Sequence, residues 1–224
     1  MSLREGVVNA IIRITLRIIC RLDARELERI PAHGPGILLA NHTTYVEGPM
    51  FYVLLQPRKT TALAKRELWR NPFTCFFMKT WKVIPITRGR VDSNAMRAAL
   101  RALDDGMFLG IAAEGTRSRN GVLTRGHAGV TYFATERHVP VYPLVQWGLV
   151  DLRRNLKRLR RTPVTIRVGA PFYVRTPENR RIASGERRIM IDEMMYQLAL
   201  LLPEPLRGCY GRLELISTEY LEFC

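Results

Sequence analysis

The chain has 224 residues, 47% of them apolar and 25% charged, with 35 Lys and Arg against 20 Asp and Glu for a formal net charge of +15. That length and apolar content suit one folded domain with at most a small appendage and exclude a disordered chain. The basic excess says nothing of fold but favours polyanionic partners: nucleic acid, an anionic membrane surface or phosphorylated substrates.

Residues 3–22, LREGVVNAIIRITLRIICRL, are apolar but carry Arg4, Glu5, Arg13, Arg17 and Arg21. A transmembrane span needs about 20 residues almost free of charge, so none is expected here, and no signal peptide is read. On a helix Arg13, Arg17 and Arg21 stack at i, i+4 and i+8, with Val8, Ile11, Ile12, Ile18, Ile19 and Leu22 on a wide opposite arc. The pattern predicts an interfacial amphipathic helix with a basic stripe; it also fits a helix packed on the protein's own core. Residues 1–30 therefore read as an amphipathic helical membrane-docking segment and 31–224 as one α/β domain.

Short, continuously apolar runs follow: GILLA (36–40), TTALA (60–64), KVIPI (82–86), MFLGIAA (107–113), VPVYPLVQW (139–147) and TIRVG (165–169). They read as strands covered on both faces. Helix-like stretches fall at 47–55, 66–80, 93–105, 126–137 and 178–202, with Ser93 as an N-cap. The alternation predicts an α/β fold with a mixed, largely parallel sheet flanked by helices.

Polar groups recur where the strands end. The first runs into Asn41-His42, the second into Lys65-Arg66-Glu67, the third into Thr87-Arg88-Gly89-Arg90 and the fourth into Glu114-Gly115-Thr116-Arg117-Ser118. Ligands of open α/β sheets bind beyond the carboxyl ends of the strands, so parallel pairing would gather all four groups on one edge.

The imidazole of His42 can take a proton from a hydroxyl and return it near neutral pH. A carboxylate on its other nitrogen, here Glu47 five positions on, would fix the tautomer and stabilise the imidazolium. The plainer reading is a loop histidine followed by a helix-start glutamate. In Glu-Gly-Thr-Arg, backbone donors, a hydroxyl and a guanidinium suit phosphate oxygens, against the alternative of a turn with a solvated arginine. Ser118 does not sit in a Gly-x-Ser-x-Gly elbow and is not expected to be a nucleophile. Nine basic residues and one acid, Glu67, lie between Arg58 and Arg90.

RRNLKRLRR (153–161) carries six basic residues, with Leu152, Leu156 and Leu159 at helical spacing. It fits a surface helix on anionic lipid, a nucleic-acid patch or a solvated helix. Aromatic residues do not interleave it, which counts against single-strand stacking. His33, His42, His127 and His138 are scattered, so no metal site is expected. Cys20, Cys75, Cys209 and Cys224 lack Cys-x-x-Cys spacing and read as reduced, in keeping with a cytosolic compartment.

Taken in order, NHTTYVEGP (41–49), AKRELWRNP (64–72), PITRGR (85–90), AEGTRS (113–118) and VPVYPL (139–144) resemble the motif blocks of the glycerolipid acyltransferase family, in particular bacterial 1-acylglycerol-3-phosphate acyltransferases. The resemblance covers about residues 35–145, and the chain ahead of it resembles the family's membrane-docking lead. It implies transfer of a fatty acyl group from an acyl thioester to the free hydroxyl of a lysophospholipid, giving phosphatidic acid, on the cytoplasmic face of the cell membrane as a peripheral or monotopic protein. His42 would be the general base and Glu47, where the family has Asp, the orienting acid. Lys65, Arg88 and Arg117 would hold the acceptor phosphate, and Glu114, Gly115 and Thr116 would shape that pocket. No cofactor is implied; acyl-CoA or acyl carrier protein would bring the acyl group. Two other readings stay open: another lysophospholipid or polar-lipid acceptor, and a basic nucleic-acid-binding module. The second leaves His42, Glu47 and Glu-Gly-Thr-Arg without a role, so nucleic acid is not the expected partner.

Overall fold

A computed structural model describes residues 3–87, 89, 91–177 and 181–224. Among them nine strands form one sheet: β1 (Cys20–Asp23), β2 (Gly36–Ala40), β3 (Thr60–Lys65), β4 (Ile84–Ile86), β5 (Phe108–Ala112), β6 (Val141–Trp147), β7 (Thr162–Val168), β8 (Phe172–Val174) and β9 (Leu221–Phe223). The main path runs β1-β7-β6-β2-β5-β3-β4, with β8 on β6 and β9 on β8. Pairings from β6 through β2, β5 and β3 to β4 are all parallel; β7 and β8 pair antiparallel with β6, and β9 with β8. The fold is the mixed, largely parallel α/β layer that the alternation predicts.

Helices cover both faces, as continuous apolar strands require. Ile37 and Leu39 of β2 point to one face, against α4 (Ser93–Asp104), α5 (Gly129–Arg137) and α7 (Ser184–Leu201). Leu38 points to the other, where Leu16 of α1 (Leu3–Ile19) and Met50 of α2 (Glu47–Leu54) close the second core.

Several expectations shift. The stretch 66–80 breaks into a 3-10 turn (Arg66–Trp69) and α3 (Pro72–Thr80). Pro72 has no N–H and holds Asn71 extended, and Asn71 Oδ1 caps the new helix by accepting from Phe73 N at 2.9 Å. Asp92, not Ser93, caps α4, its Oδ1 accepting from Ala95 N at 3.1 Å and its Oδ2 from Thr87 N at 3.0 Å. These backbone donors, Thr87 first, hold the Asp92 carboxyl down to about 2. The last helix begins at Ser184 rather than 178, and 178–180 lie outside the described residues. The strand expected at 165–169 starts at Thr162, and β1, β8 and β9 have no counterpart among the expected strands.

The N-terminal helix also stops early, at Ile19, and Cys20–Asp23 enter the sheet in parallel register with Thr162–Thr165 of β7. Residues 1–30 thus contribute a strand to the sheet. Asn9 accepts from Trp81 Nε1 at 3.1 Å, Glu5 from the Tyr52 hydroxyl at 2.8 Å, and the Arg13 guanidinium donates to Val53 O at 2.9 Å. The apolar arc divides: Ile12, Ile19 and Leu22 pack on the core beside the buried Leu16, while Ile11 and Ile18 face outward and form a stripe with Leu3, Val7 and Ile14. Among the described residues no helix is long and apolar enough to cross a membrane.

Candidate functional site

Parallel pairing places the strand ends level. Ala40 is in register with Ala112, Ala62 with Gly110, and Lys65 with Ile86. Counted on by a few residues, Asn41, Ala113, Lys65 and Ile86 share one height on the carboxyl edge. The β2 and β3 backbones there are two strand spacings apart, roughly 9–10 Å.

At the end of β2, Asn41 imitates a strand residue with its side chain. Its Nδ2 donates to Gln146 O and its Oδ1 accepts from Gln146 N, both at 2.9 Å. The main chain is thereby free to leave the sheet and turn into the loop that carries His42. That loop is closed by Glu47, the first residue of α2 and almost fully buried. Glu47 Oε2 lies 2.6 Å from His42 Nδ1. Glu47 Oε1 accepts from Thr43 N at 2.7 Å, Thr44 N at 2.8 Å, Gln146 Nε2 at 2.7 Å and the Thr43 hydroxyl. Reaching back three and four residues to these amides uses the length of the glutamate side chain. Pro49 sits in the first helical turn, where a missing N–H costs nothing.

Donors alone surround Oε1, so the carboxylate is held with Oε2 turned to the imidazole. It can hold a hydrogen on His42 Nδ1 and leave Nε2 as the basic nitrogen. The His42 side chain is 26% exposed, and Nε2 makes no hydrogen bond among the described residues. The pair therefore presents a proton acceptor to the open side of the edge.

The Glu-Gly-Thr-Arg turn wraps this pair from the adjacent strand end. Glu114 is buried; its Oε1 accepts from His42 N at 2.8 Å, and its Oε2 accepts from Thr124 N at 2.9 Å and the Thr124 hydroxyl at 2.7 Å. Burial raises the Glu114 carboxyl above the ordinary range, opposed by those bonds. The side chain expected to shape a phosphate pocket is thus turned inward, where it supports the backbone of His42. Ser118 N closes the same join by donating to His42 O at 2.8 Å. The Ser118 hydroxyl is buried and bonded to Asn120, out of place for a nucleophile.

Gly115 needs to be glycine twice over. Its φ is +64°, and a Cβ there would stand 2.8 Å from His127 Cδ2. The exposed His127 imidazole thus covers the turn, and the main-chain N–H of His127 donates to Ala113 O at 2.8 Å. Nothing in the spacing of the histidines signals this. Thr116 is exposed on the turn. Arg117 stacks on Tyr45, its guanidinium carbon 3.4 Å from the ring centroid, and Nη2 donates to the Tyr45 hydroxyl at 2.7 Å. Tyr45 lies in the His42–Glu47 loop, so Arg117 and His42 share one rim. Lys65, partly exposed, closes β3 on the same edge. Arg88 and Arg90 lie outside the described residues.

The loop after the turn is tied to the C-terminal part of the chain. Gly126 N donates to the Tyr210 hydroxyl at 3.2 Å, the Arg188 guanidinium donates to Gly126 O at 2.7 Å, and the Tyr210 hydroxyl donates to Asp192 at 2.8 Å. The basic run 153–161 forms only a short helix, α6 (Leu152–Lys157), with Leu152 buried. Leu159 is 97% exposed, and the Arg161 guanidinium donates to Cys20 O at 2.6 and 3.1 Å. That bond sets the run beside the C-terminal end of α1. All four cysteines are free thiols. Among the described residues no cluster of His, Cys, Asp or Glu could hold a metal ion.

A family model described as Acyltransferase matches residues 21–147. A Limnanthes douglasii protein named 1-acyl-sn-glycerol-3-phosphate acyltransferase is 27% identical over 61% of this chain and 50% of its own. A Bacillus subtilis protein of the same name is 25% identical over 70% of this chain and 78% of its own. The chain spans about half the length of the plant relatives it matches. The crystal structure of the Thermotoga maritima 1-acyl-sn-glycerophosphate (LPA) acyltransferase superposes with a TM-score of 0.62 at 22% identity, covering 84% of this chain and 75% of that one. At that identity the superposition carries the fold.

Proposed function

We propose, from the premise that the chain belongs to the acyltransferase family, that it moves a fatty acyl group from an acyl thioester to the free hydroxyl of 1-acylglycerol-3-phosphate, giving phosphatidic acid. The observation that carries this reading is the His42–Glu47 pair at 2.6 Å, with Nε2 open and Arg117 on the same rim.

His42 Nε2 takes the proton of the acceptor hydroxyl as its oxygen attacks the thioester carbonyl. A tetrahedral oxyanion forms, the carbon–sulfur bond breaks, and the imidazolium returns the proton to the leaving thiolate. Glu47 balances the imidazolium through Nδ1 and holds its tautomer. No covalent acyl-enzyme is required. General base catalysis supplies about 10²–10⁴-fold, and orientation of the acceptor supplies much of the rest. Arg117 and Lys65, with Arg88, hold the acceptor phosphate, and Gly115 and Thr116 line its approach. Glu114 serves the same end from beneath, through the backbone of His42. No cofactor takes part; acyl-CoA or acyl carrier protein is the co-substrate.

The protein works as a peripheral or monotopic protein on the cytoplasmic face of the cell membrane. The outward stripe Leu3, Val7, Ile11, Ile14 and Ile18 supports this, as does the setting of Leu159 and its basic neighbours beside the end of α1. Together they offer an apolar surface edged by cations, as an anionic bilayer surface demands.

The test uses purified protein, lysophosphatidate and an acyl thioester, with thiol release and phosphatidic acid followed together. Wild type should form both, and His42→Ala should lose about 10²–10⁴-fold in rate. Equal rates for the two proteins would end the proposal.

A further inference from the structure

Gln146, on β6, has no part in the chemistry above, yet it is fully buried and bonded to that chemistry. Its Nε2 donates to Glu47 Oε1 at 2.7 Å and to Thr43 Oγ1 at 2.8 Å. Its own N–H and C=O are both held by the Asn41 side chain. A strand buried on both faces would take a valine or leucine here without desolvation cost. Among the described residues Gln146 Oε1 has no hydrogen-bond partner, so the amide is held by its NH2 group.

The other donors to Glu47 Oε1, from Thr43 and Thr44, belong to the loop and would move with it. Gln146 is the donor fixed in the sheet. Both ends of the loop, Asn41 and Glu47, are therefore referenced to this one residue. We infer that Gln146 is a positioning residue for the His42–Glu47 pair: it occupies Oε1 so that Oε2 is presented to His42 Nδ1. The kinetic consequence rests on the acyl-transfer reading; the structural one does not.

Two variants test this. Gln146→Met keeps the bulk and removes the donor; Gln146→Glu keeps the shape and sets a second carboxyl against Glu47, where two adjacent carboxylates resist joint ionisation. Each is measured for kcat and for both KM values, and by proton NMR of the His42 Nδ1–H, assigned with His42→Ala. The expected result for Gln146→Met is a kcat about tenfold lower, a share of what general base catalysis supplies, with both KM values unchanged and the Nδ1–H signal moved or broadened. Gln146→Glu should lose more than Gln146→Met. Wild-type kcat with an unmoved signal in either variant overturns the inference, as does a loss confined to KM. A wild type without acyl transfer would refute the reaction, while the Nδ1–H comparison would still decide the role of Gln146.

Discussion

The main-chain N–H of His42 donates to the buried carboxylate of Glu114 at 2.8 Å. The residue whose imidazole meets solvent is thus steadied by the first residue of the neighbouring turn. Two motifs 72 positions apart in sequence form one structural unit.

Glu114→Gln should lower kcat about tenfold and destabilise the fold by about 1–3 kcal/mol, because an amide NH2 facing the Thr124 N–H leaves that donor unpaired. The pH dependence has a definite sign. Burial raises the folded Glu114 carboxyl above its ordinary 4.5. A raised pKa adds most stability below the unfolded value, and that addition is lost as pH rises through the folded value. Thermal melts should therefore shift in favour of wild type over Glu114→Gln as pH is lowered from neutral towards 4.5. A difference independent of pH would contradict this.

Shortening the acid should be costly. In Glu47→Asp the carboxylate retreats by about 1.5 Å, one carbon–carbon bond. It cannot then meet both Thr43 N and His42 Nδ1, now 2.7 and 2.6 Å away. Steady-state kinetics should show kcat reduced about tenfold with both KM values near wild type. Undiminished kcat would show that the loop readily readjusts.

Tyr45 holds Arg117 in a stack and by a hydrogen bond. Such a stack at an exposed site is worth about 0.5–1 kcal/mol. Tyr45→Ala should raise the acceptor KM by roughly two- to fivefold with kcat little changed. Arg117→Ala should raise it more, since a charged phosphate contact is lost. A fall in kcat alone in both variants would separate Arg117 from acceptor binding.

The outward face of α1 should govern surface binding. Ile11→Asp and Ile14→Asp leave the buried Leu16 and Asn9 contacts in place. Sedimentation with anionic vesicles should retain wild type and lose most of the double variant, with unchanged thermal stability in solution. Equal retention would remove α1 from the docking surface.

Sequence periodicity sufficed for the parallel core. GILLA is apolar throughout, and VPVYPLVQW is apolar but for Gln146, because both faces are covered, and strand identity follows from that. His42 and Glu47 were legible as a pair since the turn between them is short, whereas the bonding of the Asn41 side chain to the Gln146 backbone was not. β1 was not, because Cys20–Asp23 continues the helical pattern and becomes a strand only through pairing with β7, more than 130 residues on. Pro72 marked the break between the 3-10 turn and α3, which a single helix over 66–80 ran across. Gln146 and His127 are silent in sequence: one is a polar residue inside an apolar strand, the other a histidine far from any partner in number. Their placement comes from the crossing of strands and loops at the carboxyl edge, and no local pattern encodes it.

Between Ile19, which ends α1, and Cys20, which opens β1, there is no connecting residue. With Asn9, Glu5 and Arg13 bonded to α2, α3 and their flanks, the helix has no hinge by which to swing. It behaves as a fixed outrigger of the sheet. Whatever tilt the helix takes on a surface, the rim bearing His42 takes as well, so seating the outrigger also sets the angle at which the cleft faces its substrate.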